Sequence, residues 1–147
     1  MEKSTLFTIG YQGLSQEAFF KRIVSNGVET VIDVRAVPHS RKKGFSKKGL
    51  ASRSGELGIR YEHIGSLGTP EDIRKEFKAN GDFEEFTELY LNNLAGEIDT
   101  ISDLSDKIMG SVCCLLCYEK AASECHRSIV AKEIAKRIPS SLKVHHL

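Results

Sequence analysis

The period of the hydrophobic positions changes several times along the chain, and each change marks an element. STLFTIG at 4–10 and VETVIDV at 28–34 are short, rich in β-branched residues and closed by a turn or a charge, so both read as strands. Between them Phe19, Phe20, Ile23 and Val24 recur at helical spacing, with Ser15 placed to cap a helix and Gly27 to stop it. Strand, helix and strand in that order predict a parallel pair joined by a right-handed crossover. After a loop around Pro38 and a short helix near 47–55, IRYEHI at 59–64 supplies a third strand. TPEDIRKEFK then opens a helix in which Thr69 is expected to cap, Pro70 to take the first position and Asp72 to complete a capping box. Asp82 with Glu85 repeats the device for FEEFTELYLNNL, and EIDTISDLSDKI gives a further, more polar helix. These acidic helices are expected to cover one face of the sheet or to stand as an insertion beside it.

SVCCLLCY at 111–118 departs from alternation. It is apolar at consecutive positions, the pattern of a central parallel strand covered on both faces. The next helix is expected to begin near Ser123, to carry Val130, Ala131, Ile134, Ala135 and Ile138 as its stripe and to end at Pro139, with SLKVHHL as the last strand. The predicted architecture is therefore a three-layer α/β fold, a mostly parallel sheet of about five strands with helices on both faces. At 147 residues and 40% hydrophobic, the chain has material for one sizeable core, and no shift of composition suggests two, so 1–147 reads as a single domain.

MEKSTLFTIGYQG contains no apolar run of signal-peptide length, and the longest apolar stretch, Val112 to Tyr118, falls far short of the roughly 18 residues that span a bilayer. A soluble cytoplasmic protein with no membrane partner is the expectation. Net charge is +1, so no global field recruits nucleic acid, although Arg41, Lys42, Lys43, Lys47, Lys48 and Arg53 crowd one segment and the acidic residues gather between Glu71 and Asp106.

All four cysteines fall within CCLLCYEKAASECHR at 113–127. In a reducing compartment they are expected to be free, catalytic or metal-bound rather than cross-linked. On a strand Cys113 and Cys117 share one face, about 13 Å apart, too far for one zinc, whose two thiolates lie at most about 4.6 Å apart. Cys113 and Cys114 read as small core hydrophobes. Cys117 stands at the strand's carboxyl end, and Cys125 with His126 at the start of the following helix. No cofactor is expected. The one metal arrangement these residues allow is zinc at Cys117, Cys125 and His126, but C-x7-C-H is not among the familiar zinc spacings and no further cysteine remains to close the site. A cysteine in a helix's first turn feels unpaired N–H groups that favour thiolate, which makes Cys125 a candidate nucleophile; inert packing is the competing reading.

With parallel strands, one edge of the sheet collects Gly10 and Tyr11, Arg35, and Glu119, and faces Cys125, His126 and Arg127. Open α/β sheets bind ligands at that edge, where the strand order reverses. Asp33 shares a side with Arg35, either as its ion-pair partner or as the group that aims it at a ligand. Arg35, Arg127 and Arg41 near a helix N-terminus describe an anion site, because guanidinium forks match phosphate or carboxylate oxygens.

The chain resembles domain-of-unknown-function family 488. The resemblance rests on TIGYQG at 8–13, VIDVRAVPHSR at 31–41, IRYEHIGSLG at 59–68 and LLCYEKAASECHR at 115–127, with their D-V-R, P-x-S-R, C-x-E and C-H-R signatures. It implies a compact α/β domain with Tyr11, Asp33, Arg35, Pro38, Ser40, Arg41, Cys117, Glu119, Cys125, His126 and Arg127 as signature residues, and it implies no activity. Gln12 and Thr69 depart from the small residue and the second glycine usual at those places. VIDVR also resembles the rhodanese strand, but that family and the cysteine phosphatases place an arginine six positions after the cysteine; here those positions hold Ser123 and Ala131.

Three functions remain open at this point. The first is an anion pocket for a phosphate or nucleotide, which as an enzyme would use Cys125, His126 and Glu119 in catalytic roles, with Arg35, Arg41, Arg127, Tyr11 and Ser40 holding the anion. The second is a nucleic-acid module in which 41–53 tracks phosphates and Tyr11 or Phe45 stacks on bases. The third is a non-enzymatic interaction or redox-sensing domain.

Overall fold

A computed structural model describes residues 4–138 and 142–147. The strands are β1 (Ser4–Gly10), β2 (Thr30–Asp33), β3 (Arg60–His63), β4 (Cys113–Cys117) and β5 (Leu142–His146), and every pairing is parallel, in the order β3-β2-β4-β1-β5. The expected α/β sheet of about five strands is thus present. It is fully parallel rather than mostly so. The helices are α1 (Gln16–Ser25), α2 (Lys47–Glu56), α3 (Glu71–Asn80), α4 (Phe83–Leu94), α5 (Ile98–Gly110) and α6 (His126–Arg137).

Central position explains the sequence of β4. All five of its residues are buried, and its side chains feed two separate cores. Cys113, Leu115 and Cys117 join Tyr90, Leu104 and Ile134 on the face covered by α4, α5 and α6, while Cys114 and Leu116 join Phe19, Ile23 and Leu50 on the face covered by α1 and α2. Consecutive apolar residues are what a strand with two dry faces requires. Burial of each such side chain contributes about 1.5–3 kcal/mol. The acidic helices resolve into cover for one face: α3 has no fully buried residue, but Ile73 and Phe77 pack against the same core as α4.

Of the three capping expectations, two hold and one does not. Ser15 and Asp82 cap α1 and α4, accepting from the backbone N–H groups of Ala18 and Glu85 at 3.0 and 3.1 Å. Thr69 does not cap α3. Pro70 is the N-cap and makes no side-chain capping bond, while Thr69 is turned inward with its hydroxyl buried and unpartnered among the described residues. The start of α6 also moves: a 3-10 turn at Ala122–Glu124 precedes it, so the helix begins at His126 rather than near Ser123 and Cys125 is its N-cap. The expected stop at Pro139 lies outside the described residues.

Crossovers from β1 and β2 run toward the β3 edge, and the one from β4 runs toward the β5 edge. β2 and β4 are neighbours whose chains leave in opposite directions, so their carboxyl ends part and open a crevice there.

Candidate functional site

A cavity of about 360 Å³ occupies that crevice. The loop after β2 contributes Arg35, Ala36, Val37 and His39, and the segment after β4 contributes Cys117, Tyr118, Glu119, Cys125 and His126. Tyr11 enters from the end of β1; Thr69, Arg74, Phe77 and Phe86 close the side formed by α3 and α4. The size suits a small metabolite.

Arg35 is held from several directions. Its Nε and Nη2 donate to the two carboxylate oxygens of Asp33 at 2.8 and 2.7 Å, and its Nη1 donates to the Phe45 carbonyl at 2.7 Å and to the Tyr11 hydroxyl at 3.4 Å. Tyr61 donates to the same carboxylate. Burial lowers the Arg35 pKa, but the hydrogen bond and charge of Asp33 outweigh it, so the guanidinium is held above its ordinary value. Asp33 is thus the ion-pair partner of Arg35, which borders the cavity. Tyr61 is pushed up by burial and by its hydrogen bond to Asp33, and remains a neutral donor.

Beside this pair the sulfur groups form a corner. The Cys117 and Cys125 sulfurs meet as a cystine pair across Cα atoms 7.7 Å apart, contrary to the expectation that cross-linking is the least favoured state of these residues. The His126 Nδ1 lies 3.7 Å from the Cys125 sulfur, while its Nε2 lies 2.8 Å from the Val34 carbonyl. A carbonyl only accepts, so Nε2 carries the proton and Nδ1 presents a lone pair to the sulfur. Burial lowers the His126 pKa to about 4, helped by the charges of Arg127 and Arg74 and opposed by the Val34 bond and Asp33, and the ring is neutral at pH 7. Glu119 brings its Oε2 to 3.5 Å from the Cys117 sulfur. Elsewhere on β4 burial pushes the Cys113 and Cys114 thiols up, consistent with packing rather than chemistry.

Arg127 stands apart from the expected anion set. It is wholly buried and does not line the cavity. Its Nε donates to Thr8 Oγ1 at 3.2 Å, its Nη1 to the Cys117 sulfur at 3.0 Å and to the Glu119 carbonyl, and its Nη2 to the Lys120 carbonyl at 3.1 Å. Burial lowers its pKa against the raising effect of Glu119. With its donors spent on the chain itself, Arg127 clamps the 117–120 segment. Gly10 permits this clamp, because a Cβ there would collide with the Glu119 carbonyl and lie 2.9 Å from Arg127 Nη1.

Arg41 and Ser40 are also away from the cavity. Arg41 is exposed, and Ser40 is occupied in its own loop, accepting from Lys42 N at 3.1 Å and donating its N–H to Ser46 Oγ at 3.0 Å. The aromatic groups proposed to stack on bases are buried too: Tyr11 and Phe45 stack on each other at 4.5 Å. That removes the contact on which base stacking depended.

Arg74, His39 and Thr69 border the cavity without having been picked out as site residues. Arg74 lies in a helix dense with charges and reads as part of a solvated face; only the packing of α3 across the crevice gives it a role. Among the described residues it makes no ion pair.

A family model described as "Domain of unknown function DUF488" matches residues 15–134, beginning just past the TIGYQG stretch. No curated protein and no solved structure matches the chain. No helix among the described residues is long and apolar enough to cross a membrane.

Proposed function

We propose, for a chain that belongs to the DUF488 family, whose description names no activity, that the crevice binds a small anionic ligand with a flat or apolar portion and presents it to the sulfur–imidazole corner. The observation that carries the reading is Arg74, a cation without an ion-pair partner among the described residues, on the rim of a cavity already bordered by the Arg35 guanidinium. Guanidinium groups match phosphate and carboxylate oxygens, and a cation with no ion-pair partner among the described residues is the natural partner for a ligand anion. Thr69, with a buried hydroxyl that has no partner among the described residues, adds a polar group to the same wall. Phe77, Phe86 and Tyr118 supply the apolar surface.

Cys125, His126 and Glu119 are the groups with chemistry to offer such a ligand: a sulfur, a nitrogen lone pair and a carboxylate within one corner. The anion part of the reading is tested by titrating inorganic phosphate into the protein and following amide shifts by NMR. Residues of the 35–39 loop and of α3 should shift together and saturate, and Arg74→Ala should weaken binding about tenfold or more. Equal affinity in wild type and Arg74→Ala would remove the proposal.

A further inference from the structure

The corner gathers three soft donors with unusual economy. The ligand atoms of Cys117, Cys125 and His126 all lie within 4.8 Å of one another, and all three residues are buried at the cavity wall. Two donors on one tetrahedral zinc, at about 2.3 Å for sulfur and about 2.0 Å for imidazole nitrogen, stand about 3.6 Å apart. Cys125 Sγ and His126 Nδ1 stand 3.7 Å apart. The Cα atoms of the two cysteines are 7.7 Å apart, beyond the roughly 4.4–6.8 Å that a disulfide ordinarily spans, a wider spacing that suits two sulfurs held on one ion.

The surroundings are those of metal ligands. The proton on His126 Nε2 is fixed by the Val34 carbonyl, which leaves Nδ1 as the coordinating atom. Each sulfur accepts an N–H: Cys117 from Arg127 Nη1 at 3.0 Å, Cys125 from the Arg127 backbone at 3.5 Å. Two thiolates side by side repel unless a cation stands between them.

We infer that the reduced protein binds one zinc ion, or an ion of similar softness, through Cys117 Sγ, Cys125 Sγ and His126 Nδ1. Thiolate and imidazole donors select such an ion over magnesium or calcium. Three protein ligands leave the fourth tetrahedral direction for water or a ligand atom, as in catalytic rather than structural zinc sites. The sequence spacing matches no familiar zinc pattern because the ligands come from a strand end and a helix start joined by a loop. The inference deepens the reading above by naming what occupies the reactive corner, and relies on it only for the anion that would meet the metal. Under it Cys125 and His126 are ligands, and Glu119 is the free proton carrier. The chemistry balances simply. A phosphine reductant gives two electrons to the cystine and takes up the oxygen of one water as its oxide, the two protons of that water complete the thiols, and the metal displaces both protons to solvent on binding.

The test uses the full chain, reduced with a phosphine, stripped by chelator and titrated with cobalt(II). One equivalent should produce sulfur-to-cobalt charge-transfer absorption and the intense visible bands of four-coordinate cobalt, and one equivalent of zinc should bleach them. Cys113→Ala should keep the bands; Cys117→Ser and Cys125→Ser should lose stoichiometric binding, and His126→Gln should change the visible spectrum. A reduced wild-type protein, folded by circular dichroism, that gives no charge-transfer band overturns the inference whether or not the variants fold. So does a band that persists in the Cys117→Ser/Cys125→Ser double variant. Phosphate titrations on metal-free protein separate the two readings: cobalt bands without phosphate binding uphold the metal site alone, and phosphate binding without cobalt bands upholds only the anion pocket.

Discussion

Replacing Arg127 by Lys or Leu distinguishes a clamp from an anion ligand. The side chain makes four hydrogen bonds to Thr8, Cys117, Glu119 and Lys120 and is fully enclosed. A lysine ammonium is a point charge with three donors and cannot reproduce a planar fork that reaches two successive carbonyls. The Lys120 carbonyl belongs to an exposed residue and can turn to water, and Thr8 Oγ1 also bonds His146. The acceptors with least recourse are therefore the Glu119 carbonyl and the Cys117 sulfur. Each buried group left without a partner costs about 1–3 kcal/mol, and an unmatched charge in Arg127→Lys costs a comparable amount, so a loss of about 3–5 kcal/mol is expected for either variant. With a urea m-value of about 2 kcal/mol/M, the midpoint falls by roughly 2 M. Equilibrium urea unfolding followed by circular dichroism measures the loss, and phosphate titration of the folded fraction measures binding. An Arg127→Lys protein with an unchanged midpoint and a lost phosphate affinity would refute the clamp and restore the role first expected from the sequence.

Gly10→Ala should be poorly tolerated, by about 3 kcal/mol or more, since its methyl group meets the Glu119 carbonyl and Arg127; a melting temperature within about 2 °C of wild type would contradict the close approach. Thr69→Val keeps the side-chain shape and removes an unsatisfied hydroxyl, so thermal stability should hold or rise by up to about 1 kcal/mol while phosphate binding weakens. Asp33→Asn leaves Arg35 buried without its counter-charge and should cost about 3–5 kcal/mol in chemical denaturation, far more than an exposed pair such as Lys75–Glu71. Ser15→Ala removes the acceptor for the Ala18 N–H and should cost about 1 kcal/mol, near 3 °C in a thermal melt.

Local chemistry was enough to read much of this protein from its residues. Runs of β-branched residues located β1 and β2, and the unbroken apolar stretch located β4 and identified it as a central strand, because a strand with dry faces on both sides has no polar position to offer. Ser15 and Asp82 could be assigned as caps, since capping involves partners three residues away. Strand alternation likewise placed Cys113 and Cys114 on opposite faces, and parallel pairing alone drew Tyr11, Arg35, Glu119, Cys125 and His126 toward one edge. Tertiary packing decided the rest. Thr69 has the residue type and position of a cap, yet the packing around Leu67 and Gly68 against Ala36 turns it inward. Arg127 and Arg41 are alike in a sequence, but one is enclosed by its own loop and the other faces solvent. Arg74 gains its place only because α3 crosses the crevice, and the 7.7 Å between two cysteine Cα atoms depends on how the loop after β4 folds back. Periodicity fixes which way a side chain leaves its own element; what it meets there depends on elements far away in the chain, whose approach no local pattern encodes.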